Sequence, residues 1–267
     1  MNKNTFEAFR KLVYEKAGIA LGEKKEALVA ARLSKRMHLL NIDSFEEYMD
    51  TIKADNTGNE IVQLLDSIST NVTHFFRENQ HFDFIVPQID NWYSLGQRKL
   101  RIWSAGCSSG EEPYTIAMTV LEALKGRTAD IKILATDLSS RILTRAMSGV
   151  YGAKDVDKIP ENYLQNYFHR STEDNKTSYQ ISPQCRSIIS FQRLNLLSMP
   201  YPMKGPFDLI FCRNVMIYFD NEMRKKLLEQ YFKLLKTGGY LLVGHAESLT
   251  GMLSGFKSVK PSIYIKG

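Results

Sequence analysis

The first quarter of the chain carries apolar residues at helical spacing and almost no strand-like alternation. Phe6, Phe9, Leu12 and Val13 share one helix face. A second helix is predicted from Glu23 to Leu40, a third from Ser44 and a fourth from Asn59 to Ile68. Ser44-Phe-Glu-Glu47 fits the capping box, in which the hydroxyl satisfies orphan amides and the glutamate reaches back. From about Lys99 the pattern changes to short apolar runs alternating with helical stretches. Strands are predicted at Leu100–Ala105, Ile131–Thr136, Phe207–Cys212, Tyr240–Val243 and Ser262–Ile265, and Ile188–Phe191 reads as a further core strand. Helices are predicted up to Leu124, over Ser139–Met147, and over Asp220–Leu235, the last stopped by Gly238-Gly239. A polar stretch at about 153–187, with a strand at Ser178–Ile181, interrupts the rhythm and reads as a small antiparallel β insertion. The expected fold is α/β: a doubly wound, mostly parallel sheet over residues 76–267, behind a helical domain over 1–75.

Composition narrows the function only a little. Lys and Arg number 35 against 29 Asp and Glu, a net charge of +6, and the pI is about 9.0. An anionic partner or a solvated basic surface would both account for it. No uncharged apolar run is long enough to span a membrane, and the start, Met1-Asn-Lys-Asn-Thr-Phe6, lacks the apolar core of a leader. Cys107, Cys185 and Cys212 are scattered and odd in number, so neither a disulfide framework nor a cysteine zinc site is expected. No metal is expected, and the cytoplasm is the expected compartment.

The candidate chemistry sits at strand ends. Ile102-Trp-Ser-Ala-Gly-Cys-Ser-Ser-Gly-Glu-Glu-Pro-Tyr114 turns a strand sharply into a helix. Gly106 and Gly110 would let a ligand lie against the backbone. This is neither G-x-G-x-x-G nor a P-loop, and Glu111 and Glu112 disfavour a phosphate. The next strand ends on Asp137, placed to accept both hydroxyls of a ribose. A nucleoside without a diphosphate fits both features, and S-adenosylmethionine is the favoured candidate. Arg213 and Asn214 follow the fourth strand, with Tyr218 one turn on. Arg77, beside Phe75 and Phe76, is placed as a carboxylate clamp.

Four segments then point to a family. Asn71-Val-Thr-His-Phe-Phe-Arg77, Trp103 through Tyr114, Asn195-Leu-Leu197 and Cys212-Arg-Asn-Val-Met-Ile-Tyr-Phe219 closely resemble the CheR family of chemotaxis-receptor protein-glutamate O-methyltransferases. The resemblance runs in order along nearly the whole chain. It implies a class I methyltransferase fold, S-adenosylmethionine as donor, S-adenosylhomocysteine as product and receptor glutamates as acceptors. Carried over by motif, Asn71, Thr73, Arg77, Glu112, Asp137, Asn195, Leu196, Arg213 and Asn214 look like cofactor contacts. Arg77 and Tyr218 look nearest the transferring methyl. Which of Glu111 and Glu112 faces the ligand is not legible.

A glutamate acceptor, with an unperturbed pKa of about 4.3, is already ionised and needs no general base. None of the five histidines, His74 and His245 included, is required for catalysis.

The charge excess has a location. Residues 1–60 carry ten basic and ten acidic residues, yet Lys24–Leu40 holds five basic residues against Glu26 alone. Lys25, Arg32 and Arg36 form one stripe, with Lys35 on its flank. A solvated helix face would look the same; the resemblance favours a docking surface for an acidic helix of a receptor's cytoplasmic domain. Some family members hold a receptor tail by strand addition on the β insertion. Here the loop Ser171–Thr177 has no glycine, where tail-binding relatives tend to have them, so a tail tether is left open.

Two other functions compete. A nucleic-acid methyltransferase would suit the pI, but the Asn/Asp-Pro-Pro-Tyr motif of base amino-methylation is replaced by Arg213-Asn-Val-Met-Ile-Tyr218. A catalytically silent receptor-binding module is disfavoured by the intact cofactor motifs. Nucleic acid is therefore not an expected partner, nor is direct membrane insertion.

Overall fold

The fold is given by a computed structural model, which describes residues 1–68, 72–247, 249, 251–252 and 255–267. Four helices form the N-terminal unit: α1 (Lys3–Ala17), α2 (Glu26–Leu40), α3 (Phe45–Ala54) and α4 (Asn59–Ile68). A single 3-10 turn, Glu23–Lys25, leads into α2. The Asn2 side chain caps α1 by accepting from the Thr5 amide at 2.9 Å. Ser44 caps α3 through the Glu47 amide at 3.2 Å, as its sequence pattern suggests. Phe9, Val13, Leu33, Tyr48 and Leu64 are fully or almost fully buried where the apolar faces converge.

The rest of the chain is α5 (Gln80–Ser94), β1 (Lys99–Ala105), α6 (Glu111–Ala123), β2 (Asp130–Asp137), α7 (Ser140–Ser148), β3 (Val150–Gly152), α8 (Glu161–Tyr167), β4 (Phe168–Glu173), β5 (Lys176–Ile181), α9 (Pro183–Ser187), β6 (Ile189–Arg193), β7 (Phe207–Cys212), α10 (Asn221–Leu234), β8 (Leu235–Val243), β9 (Phe256–Lys260) and β10 (Ile263–Lys266). Seven strands form one sheet in the order β6-β2-β1-β7-β8-β10-β9. The first five are parallel, and β10 and β9 return antiparallel. The chain runs outward from β1 to β2 and later crosses back to β7 on the other side of β1. That reversal opens a crevice at the carboxyl ends of β1 and β7. Trp103 on β1 is fully buried, and its indole donates to Thr136 Oγ1 at 2.9 Å, tying β1 to β2 beside the crevice.

The β insertion is a three-stranded antiparallel sheet, β3-β5-β4. It begins earlier than the polar stretch suggests, because β3 at Val150–Gly152 pairs with β5. The β4–β5 turn manages without glycine: Asp174 and Asn175 take φ of 48° and 61°. These two residue types tolerate the left-handed region, which a two-residue hairpin needs.

Several sequence expectations are corrected. Ile188–Phe191 is not a central strand; β6 is an edge of the sheet and partly exposed. The last long helix ends at Leu234, and Gly238-Gly239 do not stop it but lie inside β8. Tyr231 O accepts the amide of Leu235, whose own backbone is already extended. Helix α5, with Pro87 inside it, and strand β9 were not read from the sequence at all.

Candidate functional site

The crevice is a cleft with about 1300 Å³ of empty space, part of it open to solvent. One wall is the carboxyl edge of the sheet, and the other is the helical unit. Lys25, Val29 and Arg32, at i, i+4 and i+7 of the approach to α2 and α2 itself, line it together with Ala17, Ile19 and Leu21. Thr73, Arg77, Glu112, Asp137, Asn195, Leu196, Arg213, Asn214 and Tyr218 all line the same cleft. Asn71 lies outside the described residues. Lys35 and Arg36 are not part of the lining.

The glycine turn is built by backbone bonds to the neighbouring strand end. Gly106 and Cys107 donate to the Thr136 carbonyl at 2.8 and 2.9 Å. Gly106 has φ +86°, and a Cβ there would stand 2.3 Å from Val215 Cγ2. Gly110 has φ +98°, and a Cβ would meet the Tyr151 hydroxyl at 2.8 Å. No side chain fits in either place. The Asp137 carboxylate accepts from the Ser108 amide at 2.9 Å and the Ser139 amide at 3.0 Å. Burial pushes its pKa up, against the pull of those amides. The turn thus holds the acid that sequence assigned to a ribose.

The two adjacent glutamates separate. Glu111 folds away from the cleft: Ser109 Oγ donates to both its oxygens, at 2.9 and 2.7 Å, and it is 3 % exposed. Glu112 faces the cleft, accepting from Ser104 Oγ at 2.7 Å and from Arg213 Nη1 at 3.3 Å. Burial raises its carboxyl, while Arg213 and Ser104 act in the opposite sense.

Arg213 is a brace. All three of its guanidinium nitrogens are engaged: Nη1 with Glu112, Nε with Glu78 Oε2 at 3.3 Å, and Nη2 with Glu78 Oε2 at 3.2 Å and with the Arg77 carbonyl. Burial alone would raise the Glu78 carboxyl, yet Arg213 and the His245 amide hold it below the ordinary range. Phe76 and Glu78, on either side of Arg77, have φ of 54° and 52°. Such strain persists only where surroundings impose it, and here it turns Arg77 into the cleft. Phe75 anchors the segment by edge-on contacts with Tyr151 and Phe168, at centroid distances of 4.8 and 5.5 Å.

Three arrangements were not legible beforehand. Asn195, assigned by motif to the cofactor, donates its amide to the Lys16 carbonyl at 2.7 Å and accepts from Leu197 N at 3.0 Å. It therefore caps the end of α1 and joins the two units while lining the cleft. The Ala20 amide donates to the Tyr218 carbonyl at 2.8 Å, a second joint at the same place. Glu247, 3 % exposed, accepts from the amides of Gly244 at 2.6 Å, Asn214 at 2.8 Å and Ile217 at 3.1 Å. The Gly244 bond is local, but the two partners beside β7, Asn214 and Ile217, lie 33 and 30 residues away and leave no mark on the local sequence.

The basic stripe divides. Arg36 is tied into its own helical unit: Nε and Nη2 grip Glu60 at 2.9 and 2.6 Å, and Tyr48 adds a 2.8 Å bond to the same carboxylate. Arg32 lines the cleft and donates to the Ile68 carbonyl. Lys25 and Lys35 are exposed.

The donor set suits S-adenosylmethionine. Asp137 offers carboxylate acceptors for a diol, Glu112 an anion for a cationic amine, and Arg77 a cation for a carboxylate. Leu138, Leu194, Leu196 and Val215 give apolar walls for a base.

Comparison with known proteins agrees. Residues 71–265 match a family model described as CheR methyltransferase, SAM binding domain. Residues 4–69 match one described as CheR methyltransferase, all-alpha domain. The chain is 38% identical to a chemotaxis protein methyltransferase of Borreliella burgdorferi, over 100% of this chain and 95% of that protein. It is 34% identical to the chemotaxis protein methyltransferase of Salmonella typhimurium, over 97% and 88%. It is 36% identical to chemotaxis protein methyltransferase 2 of Pseudomonas aeruginosa, over 98% and 92%.

Proposed function

The chain belongs to the CheR family of S-adenosylmethionine-dependent methyltransferases, and we propose that its acceptors are glutamate side chains on the cytoplasmic part of chemoreceptors, converted to methyl esters in sensory adaptation. The observation that carries this reading is the cleft itself: a nucleoside-binding sheet edge faced by Lys25 and Arg32 of the helical unit. Positive groups at the mouth favour approach of an acidic protein segment.

The cofactor, when bound, supplies an electrophilic methyl on a sulfonium. Asp137 would hold the ribose hydroxyls, its carboxylate oriented by the backbone amides of Ser108 and Ser139. Glu112 balances cationic charge at the methionine end. Arg213 keeps Glu112 and the Arg77 backbone in register. Arg77 and Tyr218 would orient the reacting groups from the cleft lining, and the acceptor carboxylate is already ionised at neutral pH. Keeping water from the reacting groups would help, because water stabilises separated charges and opposes their cancellation. No step needs a proton acceptor.

The test is chemical. Labelled methyl is transferred from S-adenosylmethionine to receptor-containing membranes, and the product is treated with alkali. Carboxyl esters release methanol; N-methyl groups do not. Base-stable label refutes the glutamate ester assignment.

A further inference from the structure

Behind the Arg213 brace, and outside the lining of the cleft, three side chains from distant parts of the chain converge. Glu78 precedes α5, His81 lies in its first turn, and His245 follows β8. One donor atom from each lies within 4.8 Å of the others. The two imidazole rings meet edge to face, centroids 5.2 Å apart.

His81 is 1 % exposed, and its hydrogen bonding is incomplete. Ser262 Oγ donates its single hydrogen to the Pro261 carbonyl at 2.6 Å. It therefore accepts from His81 Nε2, 2.8 Å away. With the hydroxyl hydrogen on the Pro261 carbonyl, the ring proton sits on Nε2. Nδ1 is left as a buried lone pair with no hydrogen-bond partner, and it faces Glu78 Oε2 at 3.6 Å. Two acceptors thus oppose each other across a gap that a cation would satisfy.

We propose that Glu78, His81 and His245 bind a divalent transition-metal ion of the zinc class. Two imidazoles and one carboxylate are a ligand set such ions take, with water completing the shell. The bond from His81 Nε2 to Ser262 is the outer support that metal-bound histidines use to fix their tautomer. His245 is exposed and gives the ion a route from solvent. Glu78 is shared with Arg213, whose guanidinium lies 3.2 Å away. An ion that draws on Glu78 competes with the brace holding Glu112 and the Arg77 carbonyl. The sequence expectation of no metal rested on the cysteines, and these ligands are gathered only by the fold.

Tag-free full-length protein is titrated with Zn²⁺ by calorimetry, and with Co²⁺ by visible ligand-field absorption. One saturable ion is expected, with Co²⁺ bands showing nitrogen ligation. His245→Ala removes an exposed ligand without disturbing the core, checked by its unchanged circular dichroism and melting curve without metal. It should weaken binding at least about tenfold, the least that losing a direct ligand should cost. Absence of saturable binding to the wild type overturns the proposal, and so does equal binding by His245→Ala. Neither readout depends on methyl transfer, so the result stands apart from the acceptor assignment.

Discussion

The Glu247 carboxylate bonds the backbone amide of Asn214 at 2.8 Å, and the same oxygen bonds the amide of Gly244 at 2.6 Å. One buried side chain thereby fixes the ends of β7 and β8 against each other. Asn214 has φ 61°, and this bond helps keep it there.

Replacing Glu247 with Gln keeps the volume but turns an amide group toward backbone donors. An unmade buried bond costs about 1–3 kcal/mol. S-adenosylmethionine affinity is expected to fall roughly tenfold or more, since about 1.4 kcal/mol is tenfold. Calorimetric titration beside a thermal melt checks this. Unchanged affinity in a folded variant removes Glu247 from the positioning of the cleft.

Tyr218→Phe and Arg77→Ala probe orientation at the reacting centre. Misplacement there costs roughly 100-fold in rate. Turnover on receptor membranes should fall by roughly that factor for Arg77→Ala and by less for Tyr218→Phe. If both variants turn over normally with cofactor binding intact, neither orients the reaction.

For docking, the structure changes which residues are informative. Arg36 is locked to Glu60, and Arg32 to the α4 carboxyl end, so altering them damages the helical unit. Lys25→Glu with Lys35→Glu is the cleaner pair, because both side chains are exposed. Receptor methylation should lose salt sensitivity and drop several-fold, by more than any change in cofactor affinity measured alongside, since Lys25 also lines the cleft. Methylation that is unaffected at low salt argues against docking on this face.

The Arg36–Glu60 pair also predicts a pH response. Arg36 and Tyr48, opposed by partial burial, hold the Glu60 carboxyl below its ordinary 4.5. A carboxyl depressed in the folded state stabilises it above that value. The stabilisation is lost as pH falls through the lower folded pKa. The melting temperature should therefore drop on acidification below about pH 4.5, and Glu60→Gln should flatten that slope. At neutral pH Glu60→Gln should cost about 1–3 kcal/mol. An unaltered acid slope in the variant assigns the loss to other carboxylates.

Much of the site was legible because its signals are local. Gly106, Gly110 and Asp137 announce themselves by residue type at a strand end, and Ser44 by its spacing to Glu47. What escaped depends on distant partners. Asn195 reads as a cleft residue, which it is, but its second role of joining the Lys16 carbonyl depends on a residue 179 positions away. Arg36 reads as surface charge until α4 brings Glu60 alongside. Gly238 and Gly239 read as a helix stop because glycine favours one, yet the helix has already ended and the chain is running as β8. Helix α5 was hidden by a motif that drew attention to its amino end and by Pro87 within it.

The far wall of the cleft, from Ala17 to Arg32, is made before any of the sheet leaves the ribosome. The four helices close on their own apolar cluster, so that wall can fold during synthesis. When β1 and its glycine turn emerge, the residues they must face have already been made. Asn195 and Tyr218 then dock onto Lys16 and Ala20, late residues meeting early ones. The cleft that would hold the cofactor is thus complete only where the first and last parts of the chain meet.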